Sequence, residues 1–440
     1  MRRVGILHQK DNCSRDTQIE ASRFHCRIVL VASDGCKFGH KVGRSGRDGG
    51  AAVRSELGQF SFDTTAGLLV EWGGARRLGT LLSEWFVQRN LLIVTDRFLN
   101  QSGMLDPAKA SLQSAGFSVT VFDDVVADPP EDVMTACATK AKFAGVDIVM
   151  GFGGGSSMDV AKLAAVMITS EQALSEMYGI GNVMGMRVPL VQVPTTSGTG
   201  SEVTNITILT TGSTTKMGVV ARQLYADRVL LDAQLTTGLP PQQTAATGID
   251  AMVHAIEAFT GRVRKNPLSD LLAKEALRLL AANLVMACAD GQNRPAREAM
   301  LLGATLAGQA FSNSPVGAVH ALAYPLGGRF HLPHGLTNAL MLGPVLRHNL
   351  QVAAPLYAEL ADVVLGPSTG DVEARPMAFV EFMEDLMKRS GAPRRLRDCN
   401  VPEHSLPLLA RDAMMQTRLL MNNPVNVTEA DALALYQQAY

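Results

Sequence analysis

The sequence predicts an α/β half built on a parallel sheet, followed by an all-helical half. Three observations carry this. From residue 57 to 240, short apolar runs alternate with helix-compatible stretches. From 241 to 440, Ala, Leu and Met recur at helical spacing. A chain of 440 residues also exceeds what one compact core holds, so two domains with a cleft between them are expected.

In order, the apolar runs are LLVEWGG, LLIVTD (91–96), FSVTVFDDV (117–125), VDIVMGFGGG (146–155) and VPLVQVPTT (188–196). Between them lie stretches such as DPAKASLQSAG and PPEDVMTACATKAKFAG, whose acids sit at the start as helix N-termini favour. ITILTTGSTTKMGVV (206–220) has a glycine-containing turn between two β-branched runs and reads as a hairpin, and RVLLD (228–232) as a short strand. After GLPPQQ the helical pattern takes over, with stops at GAPRR and NNP.

Residues 1–56 do not match the rest. They hold three of the six cysteines and three of the nine histidines, with few apolar residues beyond CRIVLVA. Asp11, Asp16, Glu20 and Asp34 interrupt the basic charge, which argues against a nucleic-acid arm or a transit peptide. The segment reads as a disordered extension or an over-long gene start.

A net charge of -1 gives no electrostatic footprint for nucleic acid, and no apolar run reaches the roughly 18 residues that span a bilayer. The expected partner is a small molecule and the expected location the cytoplasm. The cysteines are scattered without a CxxC, so neither a zinc knuckle nor a redox pair is expected.

GFGGGSSMDVAKLAA follows a strand and opens a helix. Gly153, Gly154 and Gly155 let backbone approach a phosphate, which the N–H groups and positive dipole end of the first helical turn would face. Glycine turns before helices also occur for purely structural reasons. Ser156 stands where the third glycine of GxGxxG belongs, and the candidate ribose acid, Asp96, precedes the glycines rather than following them by about 20 residues. The site is therefore a Rossmann-like dinucleotide site of another design, in which a carboxylate at a strand end repels a 2'-phosphate and favours NAD over NADP. PTTSGTGSEVT (194–204) offers hydroxyls to a nicotinamide or ribose, or is a plain polar loop; Lys216 reaches a ribose hydroxyl or is solvated.

GIDAMVHAIEAF places Asp250 and His254 four residues apart, on one helical face, as two ligands of one metal must be. HALAYPLGGRFHLPHG adds His320 on a helix and His334 in PHG, where proline and glycine are expected to hold a turn. Three imidazoles and a carboxylate form an N3O set suited to Fe(II), Zn(II), Mn(II) or Ni(II), with room for an exchangeable ligand.

Taken together, GFGGGSSMD, PTTSGTGSEVT, GIDAMVHAIEAF and the closing H, PHG and NA segment, in this order over roughly residues 60 to 440, resemble the iron-containing (group III) alcohol dehydrogenase family. The resemblance implies an NAD-binding α/β domain over 57–240, a helical metal-binding catalytic domain over 241–440, a cleft site and a homodimer. It implies Asp250, His254, His320 and His334 as ligands of Fe(II), with Zn(II) as the other candidate. Asp96 becomes the adenosine-ribose acid and Gly153, Gly154, Gly155 and Ser156 the pyrophosphate cradle. Asp159, Thr195, Thr196, Ser197 and Lys216 become further cofactor contacts, while His331 matches no ligand position.

The implied reaction is reversible hydride transfer between NAD and an alcohol, aldehyde or hydroxy acid, the metal acting as a Lewis acid. One position departs from the pattern: where many members carry a second histidine, four residues after the third ligand, this chain has Tyr324. In the resemblance that histidine also belongs to maleylacetate reductases and a tyrosine to the hydroxyacid-oxoacid transhydrogenase branch, so both stay as alternative substrate assignments. Tyr324 is expected to face the substrate and position it, or to pack against Pro325. A lyase of the dehydroquinate synthase type shares the layout but is expected to use a carboxylate and two histidines. An inactive NAD or metal binder is the remaining alternative.

Overall fold

The computed structural model describes residues 59–440 except 213, 214 and 369, so the expected extension over 1–56 lies outside the described residues. The sheet half runs β1 (Leu68–Val70), α1 (Leu78–Trp85), β2 (Asn90–Val94), α2 (Arg97–Gln101), α3 (Asp106–Ser114), β3 (Ser118–Phe122), α4 (Glu131–Phe143), β4 (Ile148–Gly153), α5 (Gly155–Met167), β5 (Gly179–Ile180), β6 (Leu190–Pro194), β7 (Ile206–Thr211), β8 (Thr215–Val220) and β9 (Arg228–Leu231). Six strands form a parallel sheet in the order β1-β9-β6-β4-β2-β3. The expected hairpin forms as the antiparallel pair β7–β8, to which the two-residue β5 adds.

The apolar runs read as they do because the sheet is covered on both faces. Alternate residues go to opposite sides: Leu92, Val94 and Val149 pack with Val160 and Leu163 of α5, while Leu91, Ile93, Ile148 and Met150 pack with Leu78 and Leu82 of α1 and Leu112 of α3. From β2 the chain moves out to β3 at one edge, then returns through β4 to build toward the other edge. Between β2 and β4, therefore, the connections leave in opposite directions, and a crevice opens at the carboxyl ends of the strands. Asp96 and the glycine turn stand at those two ends.

The second half is helical: α6 (Pro241–Thr260), α7 (Pro267–Ala289), α8 (Arg294–Asn313), α9 (Ala318–Phe330), α10 (His334–Leu365), α11 (Arg375–Arg389), α12 (Leu406–Ala413), α13 (Thr417–Leu420) and α14 (Glu429–Ala439). Its starts follow side-chain capping: Asn266 accepts from Ser269 N before α7 and Asn293 from Ala296 N before α8, each with proline in the first turn.

One local expectation is corrected. PHG is not a turn: Pro333 is the cap and His334 the first residue of the 32-residue α10. Gly335 belongs to that helix because α10 lies hard against α6, where a Cβ at 335 would fall 2.6 Å from the Ala246 carbonyl oxygen. The two halves meet as closely at Gly200, whose φ of 61° lies in the left-handed region and whose Cβ would fall 2.5 Å from Gly308 Cα on α8. Among the described residues no helix is long and apolar enough to cross a membrane.

Candidate metal and dinucleotide site

Helix α6 carries Asp250, His254 and Glu257 at positions i, i+4 and i+7, so one face presents all three. Helix α9 brings His320 and the first turn of α10 brings His334. One ligand atom from each of Asp250, His254, His320 and His334 lies within 4.8 Å of the others. Asp250, His254 and His320 are buried, and His334 is partly open to the cleft. His254 Nε2 and His320 Nε2 are 3.0 Å apart, and His334 Nε2 is 3.7 Å from Asp250 Oδ1.

The donor set fits a divalent cation. Burial lowers the pKa of His254 to about 3 and also lowers that of His334, so these imidazoles are neutral and keep the lone pairs a metal needs. Ligand bonds of about 2.0–2.2 Å place ligand atoms about 3–4 Å apart, close to the spacing here. Asn338, one turn along α10 from His334, points Nδ2 at Asp250 Oδ1 (2.5 Å), His320 Nε2 (3.2 Å) and His334 Nε2 (3.3 Å). Its buried Oδ1 has no partner.

Glu257 is the group that the sequence reading passed over. Its Oε2 is 2.6 Å from His320 Nδ1, and its Oε1 accepts from Val319 N at 2.7 Å. A carboxylate on Nδ1 fixes the imidazole so that Nε2 faces the cluster. The signal was present as spacing, since Glu257 lies three residues beyond His254 in the same motif. On the far side, Phe311 stacks on His254 at 4.3 Å between centroids and closes that face.

Tyr324 stands edge-on to His320 (6.5 Å) and 6.0 Å from the His334 ring, lining the cleft. Burial pushes its phenol up to about 12, so it is neutral and keeps its proton at ordinary pH. His331 is elsewhere: it is the exposed C-terminal cap of α9, in the left-handed region at φ 53°.

At the sheet end, β4 closes on Gly153 and α5 begins at Gly155 with Gly154 as its cap. A Cβ at Gly153 would meet Ser157 Oγ at 2.6 Å and one at Gly155 would meet Thr199 at 2.8 Å, so the turn is pressed against its neighbours. At Gly154 the nearest atoms are those of Thr196, at 3.6 Å. This leaves room beside the free N–H groups of the helix start. Asp96 spends one carboxylate oxygen capping α2, accepting from Leu99 N at 2.9 Å.

Two other expected contacts, Asp159 and Lys216, are engaged within the protein. Asp159 accepts from Ser201 Oγ (2.5 Å) and Ile208 N (2.9 Å), with Lys162 Nζ at 3.4 Å. That lysine is fully buried, which lowers its pKa, and it also donates to Thr204 Oγ1 and the Ile206 carbonyl. Lys216 is not solvated: it pairs with Asp128 at 2.9 Å and donates to Thr210 Oγ1. Thr195 and Ser197 are buried, and from the PTTSGTGSEVT loop it is Thr199, Ser201 and Thr204 that line the cleft. The cleft holds ≈ 1110 Å³ of empty space, part of it open to solvent, and runs from Gly155 and Ser156 to the His/Asp cluster.

The comparisons agree with this layout. The family described as "Iron-containing alcohol dehydrogenase" matches residues 66–233, and "Fe-containing alcohol dehydrogenase family, C-terminal" matches residues 244–440. The chain is 40% identical over 357 residues to long-chain-alcohol dehydrogenase 1 of Geobacillus thermodenitrificans, covering 80% of this chain and 90% of that one. The crystal structure of a 1,3-propanediol oxidoreductase superposes with a TM-score of 0.83 at 32% identity, covering 87% of this chain and all of the other. Sulfoacetaldehyde reductase from Bifidobacterium kashiwanohense, solved in complex with NAD+, gives 0.77 at 28% identity over 87% of this chain and 98% of that one. With both halves matched and relatives covered almost end to end, the chain belongs to the iron-containing alcohol dehydrogenase family, metal-dependent oxidoreductases that act on alcohols.

Proposed function

We propose that this chain transfers hydride reversibly between a small alcohol, or the matching aldehyde or hydroxy acid, and NAD, with Fe(II) held by Asp250, His254, His320 and His334. The observation that carries the proposal is the convergence of these four ligand atoms within 4.8 Å at one end of a cleft whose other end is the glycine turn. When bound, the metal supplies Lewis acidity at the substrate oxygen and the nicotinamide supplies or accepts the hydride.

The protein's part is to bind, orient and exclude water. Glu257 fixes the His320 ring, and Phe311 covers His254. The neutral Tyr324 phenol donates a hydrogen bond to the substrate and does not act as its base. Gly153, Gly154, Gly155 and Ser156 hold the pyrophosphate at the α5 N-terminus, with Thr196 opposite. Asp96 keeps one oxygen for the adenosine ribose and selects NAD over NADP by charge. Asp159 and Lys216 support the cofactor region through their side-chain bonds and Thr195 through its backbone N–H to the Gly153 carbonyl, while the buried Ser197 Oγ is left without a partner among the described residues. Holding both reactants in one cleft replaces the entropic cost of their meeting.

In this reading residues 57–240 form the NAD-binding domain and 241–440 the catalytic one. A homodimer and a cytoplasmic location rest on the family resemblance and on composition. Relatives named for long-chain alcohols, 1,3-propanediol and sulfoacetaldehyde support a substrate of alcohol or aldehyde type. The three imidazoles speak against a dehydroquinate-synthase-like lyase, and Tyr324 in the place of a second histidine speaks against maleylacetate reduction. A panel of alcohols and hydroxy acids with NAD, run on protein purified without air and assayed for iron and zinc, tests the proposal. Alcohol-dependent NADH formation that scales with bound metal is expected, and its absence in metal-replete protein would overturn the reading.

A further inference from the structure

The charges lining the cleft are matched within the protein, with one exception. Asp128 is paired with Lys216, Asp159 is saturated by Ser201, Ile208 and Lys162, and Asp250 belongs to the metal cluster. Arg418, on α13, also lines the cleft, and among the described residues its guanidinium makes no salt bridge and no hydrogen bond. Helix α13 packs against α9, the helix that carries His320 and Tyr324, and so brings Arg418 to the metal end of the cleft. Phe311, Val316, Ala323 and Leu332, which also line the cleft, are apolar.

A guanidinium is charged at every working pH and presents several donors in a plane that matches carboxylate and sulfonate oxygens. Arg418 is exposed at the rim of the cleft, where its fixed positive charge draws an anion toward the opening in a salt-dependent way. We infer that Arg418 selects the substrate: it binds a carboxylate or sulfonate on a short alcohol or aldehyde whose oxygen is turned toward the His/Asp cluster, with the Tyr324 hydroxyl as a second donor. The inference rests on the hydride-transfer reading and adds a substrate class to it. It also gives the Tyr324 replacement a purpose, since a neutral donor beside Arg418 serves an anion without adding a group that titrates near neutrality.

The test uses the metal-loaded holoenzyme and NAD, with 2-hydroxyethanesulfonate and 3-hydroxypropanoate as anionic alcohols against 1,3-propanediol and 1-butanol as neutral ones. The parent is expected to favour at least one anion, and R418Q to lower the anion-to-neutral ratio of kcat/KM by roughly tenfold or more, mainly through KM, as loss of a charge-assisted pair does. R418K should recover part of that ratio, and raising the salt should raise KM for the anion only. Titration of the unreactive propanesulfonate into the enzyme–NADH complex reads the same site without turnover, and R418Q should weaken it by a similar factor. Preference for the neutral alcohols in the parent, or a rise in the KM for NAD instead of for the anion, overturns the inference. If no alcohol is oxidised yet propanesulfonate binds in an Arg418-dependent way, the anion site stands and the hydride-transfer reading fails.

Discussion

The two ends of the cleft are built from different materials. At the metal end, side chains hold side chains: Asp250, His254, His320, His334, Glu257 and Asn338 come from three helices and contact one another almost entirely out of water. At the sheet end backbone predominates, as a glycine turn and a helix N-terminus, with the Asp96 carboxylate capping α2 beside them. Networks of buried side chains fail as a unit when one member is removed, because the others are left unpaired. A backbone cradle spreads its binding over many small contacts. The metal end should therefore be sensitive to single substitutions and the cofactor end tolerant of them.

The largest effect is expected at the ligands. Replacing His254 or His320 by Ala should lower turnover on the order of 10³-fold, the scale of several kcal/mol of lost Lewis-acid stabilisation. His331→Ala, at the exposed cap of α9, should leave steady-state kinetics unchanged. A next-largest effect belongs to Glu257→Gln, which keeps the shape but weakens the acceptor at His320 Nδ1. Metal affinity, measured by chelator competition, should fall by about 10 to 100-fold. Unchanged affinity would show that the helices alone hold the ring in place.

These two predictions also mark what could be read from residue order. The ligands were legible because histidines are scarce in this chain and their spacing on a helix face is diagnostic. Glu257 and Asn338 lay in the same segments but carry no distinctive type, and only the packing of α6 against α9 and α10 assigns them. The parallel sheet was legible for the same reason as its core: strands buried on both faces are apolar throughout. Its loops were not, because the hydroxyls of PTTSGTGSEVT differ in role according to which way each turns. Thr199 borders the cleft, as do Ser201 and Thr204, which are also buried and hold Lys162, whereas Thr195 and Ser197 are buried and do not line it. Nor could order alone show that Asp159 and Lys162 are spent on tying α5 to the β7 region, or that His334 starts a helix.

At the cofactor end, Asp96→Gly should shift the NADP-to-NAD ratio of kcat/KM upward by about tenfold, the worth of roughly 1.4 kcal/mol of relieved repulsion. Because Asp96 also caps α2, a small loss of thermal stability, about 1 kcal/mol or less, should accompany it. A ratio that does not move would place the discriminating acid elsewhere. The smallest effect is expected from Tyr324→Phe, which removes one hydroxyl and keeps the ring. Substrate use should weaken by roughly 0.5 to 1.5 kcal/mol, with metal content and NAD affinity intact. No change on the best substrate would return Tyr324 to a packing role, and complete loss would make its proton essential.

The claim that the four converging side chains are a metal site is tested most directly by metal content. In protein purified without air, inductively coupled plasma mass spectrometry should find about one equivalent of iron or zinc per chain in the parent and in His331→Ala, and far less in a folded Asp250→Ala/His254→Ala variant. Metal retained at the parental level in that double variant, or absent from an active parent, would contradict the account.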